Sequence, residues 1–297
     1  MKDITRKPET LRTAKATATV HVPPFCISLL RERRVEKGDA LEVARTAGML
    51  AAKRTWELLP FCHPLPLQNI RLEYQLAEDS VRLECGVQVI ASTGVEMEAL
   101  TAVSIAALTL YDMLKPHAER ELRISDIKLL EKTGGKSDFA RRMKPAAAAV
   151  VLAIPGGRKH DQAGQAIRTE LESAGFEIRA YEVLEDSAGQ LAVRLEHWLK
   201  QDVELIATVG GTGVSANDQA VETVRAKLER ELPGVMEAAR DYGQRRTPYA
   251  MLSRGVAGLA GSTLLVTFPG STRGAQETWQ AIATGLVHTL ESLRHSR

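Results

Sequence analysis

Residues 94–115 read GVEMEALTAVSIAALTLYDMLK. Leu100, Val103, Ala107, Leu110 and Leu114 recur at steps of three and four, the spacing of an apolar stripe on a helix. Glu96 and Glu98 flank Met97 where that helix begins, an end at which the backbone dipole favours acids. Asp112 and Lys115 lie one turn apart near its other end and can share a face. The interior residues are small (Ala99, Thr101, Ala102, Ser104, Ala106, Ala107), so another backbone can approach closely. Fourteen helical steps from Glu98 to Asp112 span about 21 Å. Both ends therefore cannot serve one small pocket within a single copy of the chain. If both are functional, either there are two sites or a second subunit closes the gap. A core helix with solvated charged ends has the same periodicity.

Working outward, Ile70–Leu76 and Val81–Ile90 alternate as two antiparallel strands, and Leu122–Leu130 follows the helix as another. Upstream, Thr17–Val22 reads as a strand and Phe25–Arg34 as a short helix. A turn follows at Glu36-Lys37-Gly38-Asp39. A single helix over 41–59, carrying Lys53 and Arg54, is stopped by Pro60. The proline-rich loop Phe61-Cys62-His63-Pro64-Leu65-Pro66 comes next. Strands in runs against a few helices predict an α+β layer fold for this half.

Residues 140–145, ARRMKP, shift to basic residues and proline, the composition of an exposed linker. Beyond them the pattern becomes strand–helix alternation. Strands are predicted at 148–154, 176–184, 203–209 and 263–268, with helices at 162–174, 187–200, 221–232 and 275–294. That alternation predicts a three-layer α/β domain with a mostly parallel sheet. The expected domains are 1–144 and 145–297.

The chain has 297 residues, 44% apolar and 26% charged, long enough for two domains with real cores. A net charge of +2 argues against broad nucleic-acid binding, and Arg31-Glu32-Arg33-Arg34 reads as solvated surface. The three cysteines, Cys26, Cys62 and Cys85, form no CxxC pair and fit a reducing compartment. Residues 1–19 lack the apolar core of a signal peptide. The longest apolar runs, such as 146–154, are too short to span a bilayer. A cytoplasmic protein without a membrane partner is expected.

Lys37, Lys53, Lys115, Lys132 and Lys136 sit in loops or at helix ends. If they converged with Arg12 on one cleft they would suit a polyphosphate, and otherwise they are ordinary surface charge. His63 can be a metal ligand, a proton carrier or a hydrogen-bonder. No histidine at ligand spacing supports a metal, so a hydrogen bond to substrate or backbone is expected.

The strings KPETLRTAKA, KGD, AAKRTWELLPFCHPL, GVEMEALTA, LYDMLK and KTGGKS occur in this order over residues 1–139. Together they resemble the cyclic pyranopterin monophosphate synthase (MoaC) family of molybdenum cofactor biosynthesis. The resemblance implies a ferredoxin-like α+β domain that assembles as dimers or hexamers with its active site between subunits. It also implies a lyase that needs no cofactor. A guanosine triphosphate already joined between ribose and guanine becomes a cyclic phosphate pterin, and pyrophosphate is released. By motif, Asp112 and Lys115 fall on catalytic positions, and Lys37, Lys132 and Arg12 on residues needed for activity or triphosphate binding. Phe61, Cys62, His63, Glu96, Met97 and Glu98 fall on substrate-contacting segments, with Lys53 and Lys136 beside them. The family's GKSGDF reads GKSDF here.

In the second half, Gly210-Gly211-Thr212-Gly213 follows an apolar strand and precedes a helix, where backbone amides can cradle an anion. The same glycines satisfy a loose dinucleotide fingerprint, or serve only a tight turn. VGGTGVSANDQ, LPGVMEAAR, PYAMLSRGVAG and FPGS resemble the molybdopterin-binding MoaB/MogA-type adenylyltransferases over 146–297. The resemblance implies that the Gly210–Gly213 loop and Asp218 hold the pterin phosphate, with Asp186 as a second acid and Pro269, Gly270 and Ser271 beside it. Three departures stand out: Ile154-Pro155-Gly156 stands where Ser-Asp is usual, Gln219-Ala220-Val221-Glu222 replaces Val-Thr-Pro-Glu, and Phe268-Pro269-Gly270-Ser271-Thr272 lacks the proline after the glycine. Two readings follow. One is an adenylyltransferase using Mg2+ and ATP; the other is a non-catalytic binding or assembly module.

Overall fold

A computed structural model describes the chain outside residues 119, 136–137, 139–146, 155–160, 185–187 and 296–297. The chain divides into two compact units, Met1–Phe139 and Ala140–Arg297. The expected linker at 140–145 lies outside the described residues.

In the first unit, β1 (Thr10–His21), β2 (Asn69–Leu76), β3 (Ser80–Ala91) and β4 (Arg123–Thr133) form one sheet in the order β2-β3-β1-β4. Every neighbouring pair is antiparallel. β1 begins seven residues before its expected start because twelve residues pair with β3, from Thr10 opposite Ala91 to His21 opposite Ser80. Ala14, Ala16, Ala18 and Val20 of β1 and Val81, Leu83, Cys85, Val87 and Val89 of β3 point to one buried face.

The quoted stretch forms α4 (Glu96–Ala118), after α1 (Pro24–Arg31), α2 (Ala40–Lys53) and α3 (Thr55–Leu58). Val103, Ala107, Leu110 and Leu114 are fully buried in the core with β1 and β3. The small residues of α4 admit α2. A Cβ added at Gly48 would lie 2.8 Å from the Ala102 carbonyl oxygen and 3.1 Å from the Ala106 Cβ. The close backbone approach is thus made inside the chain. α4 is also long and apolar enough to pass as a membrane span, contrary to the expectation that every apolar run is too short. Its apolar side packs on its own sheet instead.

The single helix expected over 41–59 is two. Asp39 caps α2 by accepting from the Glu42 N–H at 3.3 Å. At the other end the Thr55 hydroxyl donates to the carbonyls of Ala51 and Ala52, at 3.2 and 3.0 Å, where the chain turns.

In the second unit β5 (Ala148–Ala153), β6 (Glu177–Val183), β7 (Leu205–Val209), β8 (Arg230–Glu231), β9 (Ala257–Ala260) and β10 (Thr263–Phe268) align as β6-β5-β7-β10-β9-β8. The first four are parallel, while β9 runs antiparallel to β10 and β8. The helices are α5 (Gln162–Ser173), α6 (Ala188–Leu199), α7 (Ala220–Arg225), α8 (Pro233–Gln244) and α9 (Thr272–His295). Alternate strand residues feed two cores. Val151, Ala207 and Val266 pack with Ile167, Met236 and Trp279, whereas Val150, Ile206 and Leu265 pack with Leu191, Leu195 and Val221. Two cores on opposite faces of one sheet make a three-layer α/β unit.

Three features depart from expectation here. The helix predicted to run to residue 232 stops at Arg225, and the chain then pairs briefly as β8. The helix α8 was not expected; Pro233 opens it at the first turn, where a missing N–H costs nothing. β9 was not expected either, and it returns to β10 through Gly261 at φ +58°.

Candidate functional site

The two ends of α4 carry separate clusters. At the C-terminal end, the Lys37 ammonium donates to Asp112 Oδ2 at 3.0 Å and to the Asp112 carbonyl at 3.1 Å. Lys115 Nζ lies 3.2 Å from Asp112 Oδ1. The hydrogen bond from Lys37, then that from Lys115, holds the Asp112 carboxyl below the ordinary carboxylate range. Lys37 is delivered by the turn before α2, which needs φ +106° at Gly38. All three side chains are about half exposed, so a substrate can reach them.

At the N-terminal end, Lys132 Nζ meets Glu96 Oε1 at 3.0 Å. Arg12 is buried, with Nε donating to the Ala91 carbonyl at 3.2 Å. Burial holds its guanidinium below its ordinary value, while Glu96 and Asp138 pull the other way. Asp138 was missed by the sequence reading, although it stands within the quoted GKSDF. Its carboxylate accepts from the Gly134 N–H at 2.7 Å. A Cβ at Gly134 would sit 1.8 Å from the Leu11 carbonyl oxygen, so only glycine lets the 132–135 loop lie on the start of β1.

Glu98 is 4% exposed, and burial pushes its carboxyl up to about 7, with Glu96 adding repulsion. The Glu98 charge also raises the half-buried Cys62 thiol, after burial itself, so the 61–63 loop stands near the helix start. Phe61 and Met97 are exposed apolar groups at that end. His63 is half-buried and makes no hydrogen bond among the described residues, so the backbone is not its partner. Lys53 is exposed at the last residue of α2. Lys136 lies outside the described residues. Among the described residues no group of three or more His, Cys, Asp or Glu is placed to hold a metal ion.

In the second unit, the strings around Gly210 and Pro269 meet at the carboxyl ends of β7 and β10, where open parallel sheets bind ligands. Gly210 and Gly211 take φ +108° and +64°. A Cβ at Gly210 would lie 2.0 Å from the Ile154 carbonyl oxygen, and one at Gly270 would lie 3.3 Å from Gly210 Cα. Asp218 Oδ2 accepts from the Ser215 N–H at 3.0 Å and packs on Gly213. Thr212 is buried, and its carbonyl accepts from the Arg254 N–H at 3.0 Å.

Sequence reasoning missed Arg254, though it lies in the quoted PYAMLSRGVAG. Its Nε donates to the Gly213 carbonyl at 2.6 Å, and its terminal nitrogens donate to the Glu222 carboxylate and the Asp218 carbonyl. One guanidinium thus ties the glycine loop to the segment bearing Asp218 and to α7. A cleft of about 410 Å3 opens beside Pro269 and Ser271, lined also by Arg240, Tyr249, Ser253 and Arg273. The Gly210–Gly213 loop does not line that cleft. A recess of about 320 Å3 holds Ser215, Asp218, Glu222 and Arg254. Asp186 lies outside the described residues.

Comparison with known proteins joins these observations. Residues 1–135 match the MoaC family, and residues 148–289 match a probable molybdopterin binding domain. A molybdenum cofactor biosynthesis bifunctional protein of Chlorobaculum tepidum is 40% identical over 296 residues, covering 99% of this chain and 94% of the relative. The chain belongs to the bifunctional molybdenum cofactor biosynthesis family. A second member, from Synechococcus elongatus, is 32% identical over 311 residues, covering 99% of this chain and 97% of that one. The first half alone is 50% identical over 144 residues to a cyclic pyranopterin monophosphate synthase of Thermomicrobium roseum, covering 48% of this chain and 86% of the relative. In this bifunctional family, both halves that the motifs separated occur in one chain.

Proposed function

We propose that the first half is a cyclic pyranopterin monophosphate synthase and that the second binds molybdopterin, within working boundaries of 1–144 and 145–297. The single observation that carries the first assignment is the Lys37–Asp112–Lys115 cluster set on the LYDMLK motif. Closing a cyclic phosphate on a triphosphate requires a hydroxyl to attack the α-phosphorus, lose its proton and expel pyrophosphate. An ionised Asp112 between two ammonium groups can take and pass on a proton. Lys132 and Arg12 would neutralise charge on the departing pyrophosphate. The strand order β2-β3-β1-β4, with helices crossing between β1 and β2 and between β3 and β4, supports a ferredoxin-like reading of this half.

The separation of the two clusters along α4 supports a site shared between subunits. In this reading one protomer supplies Lys37, Asp112 and Lys115, and its neighbour supplies Arg12, Glu96, Glu98 and Lys132, across a two-fold axis. Phe61 and Met97, exposed in one copy, would be covered in such an assembly. We place the protein in the cytoplasm, consistent with its three free cysteines.

For the second half, the tied-down glycine loop and the adjoining cleft support binding of a pterin phosphate. Adenylyl transfer would add ATP in the cleft and Mg2+, for which Asp218 and Glu222 are the acids within the described recess. Incubating the full chain with the cyclised guanosine triphosphate intermediate should yield cyclic pyranopterin monophosphate and pyrophosphate. Incubation with molybdopterin and MgATP should yield adenylylated pterin. Absence of product in the first assay would sink the synthase assignment; binding without turnover in the second would select the non-catalytic module.

A further inference from the structure

Pro116 lies inside the last turn of α4, one residue beyond the LYDMLK string. In a regular helix the N–H of residue 116 would bond to the carbonyl of residue 112. Proline has no N–H, and its ring crowds that same carbonyl, turning it away from the helix axis. The carbonyl left free here is that of Asp112, and it has found another donor: Lys37 Nζ, at 3.1 Å. The same ammonium reaches Asp112 Oδ2 at 3.0 Å. Lys37 is thereby held by two acceptors of one residue, one of them a rigid backbone atom. Were the carbonyl used within the helix, Lys37 would keep only a carboxylate that Lys115 also engages, at 3.2 Å.

We propose that Pro116 is a positioning residue for the synthase reaction, withholding an N–H so that the Asp112 carbonyl can fix Lys37. The proposal rests on the reading of Lys37 and Asp112 as site residues. It does not make Pro116 a group that touches substrate; it acts through Lys37. A proline inside an exposed helical turn is otherwise a cost to stability, and here the cost has a local use.

The test uses the full chain and two variants that restore the N–H, Pro116→Ala and Pro116→Ser. Lysine reactivity is read by competitive labelling with acetic anhydride and peptide mass spectrometry, with exposed Lys53 as internal reference. Lys37 labelling should rise about three-fold relative to Lys53, since one of two hydrogen bonds is lost. In both variants kcat should fall about ten-fold with KM changed less than about two-fold, because misplacement of a catalytic group acts on the chemical step. The melting temperature should stay level or rise, alanine being the better helix former. Unchanged Lys37 labelling in both variants would overturn the proposal, as would raised labelling with unchanged kcat. So would lost activity accompanied by a lowered melting temperature, which would make the proline a packing residue. Full activity in Asp112→Ala would instead refute the underlying site reading, and the labelling of the Pro116 variants would still report on the carbonyl contact.

Discussion

Glu98→Gln should make the first unit more stable as pH rises while removing synthase activity. The wild-type carboxyl is raised from 4.5 to about 7 by burial. Below about pH 4.5 it is protonated in both folded and unfolded states, and its stabilising contribution is fully present. Between that value and about 7 the folded state holds the proton more tightly, so stability falls as pH rises. At 1.36 kcal/mol per pH unit, the loss reaches about 3 kcal/mol above pH 7. Glutamine has nearly the shape of the protonated acid and no charge to desolvate, so the variant escapes this loss. For a unit of this size that difference corresponds to a shift of about 10 °C in melting temperature. Thermal melts of both proteins at pH 4.5, 6, 7 and 8.5 would show it. The variant should melt close to wild type at pH 4.5 and well above it at pH 8.5, with the second unit's transition unmoved. Parallel melting curves across the whole pH range would refute the reasoning. They would mean that Glu98 ionises in its site without penalty.

Asp112→Ala should lower synthase turnover by about 10²–10⁴-fold in a folded protein, the range for loss of a general acid–base group, and near-normal turnover would refute its role. Lys37→Ala and Lys132→Ala should each cripple the same assay, through the Asp112 cluster and through the triphosphate respectively; full activity in both would leave them as surface charge. Asp218→Ala should weaken molybdopterin binding by about ten-fold or more in a titration and leave synthase activity unchanged, the loss of one loop-ordering contact being the cause. Loss of synthase activity there would show that the halves are coupled. Inactive Glu98→Ala and Asp112→Ala chains, mixed and re-associated, should regain roughly a quarter of wild-type activity, because random pairing leaves one intact site in each mixed dimer. Subunit exchange without recovery would rule out the shared site.

Much of this was legible along the chain because it is written in local periodicity. The stripe from Leu100 to Leu114 is a helical face wherever it packs, and the alternation in β3 survives as a strict inside–outside pattern. What periodicity could not show was which strand lies beside which. β1 was read as six residues and is twelve, because the partner that extends it, β3, is about seventy residues away in sequence. The division of the 41–59 helix falls at Arg54, whose backbone leaves the helical region, and β8 and β9 are too short to carry a pattern. The motifs marked Glu98 and Arg12 as site residues, but that both charges are buried was visible only in the folded chain.

The sequence by itself determined the types of element, the order of the motifs and the two families those motifs resemble, because local spacing and residue chemistry travel with the chain. Only the tertiary structure decided that Gly48 brings α2 onto Ala102, that Lys37 reaches both the carbonyl and the carboxylate of Asp112, and that Arg254 ties Gly213 to Asp218. These contacts join residues 36 to 75 positions apart, and hydrogen bonding and burial depend on distance in space. No local pattern encodes that distance; it is set when the sheet pairs and the helices pack against it.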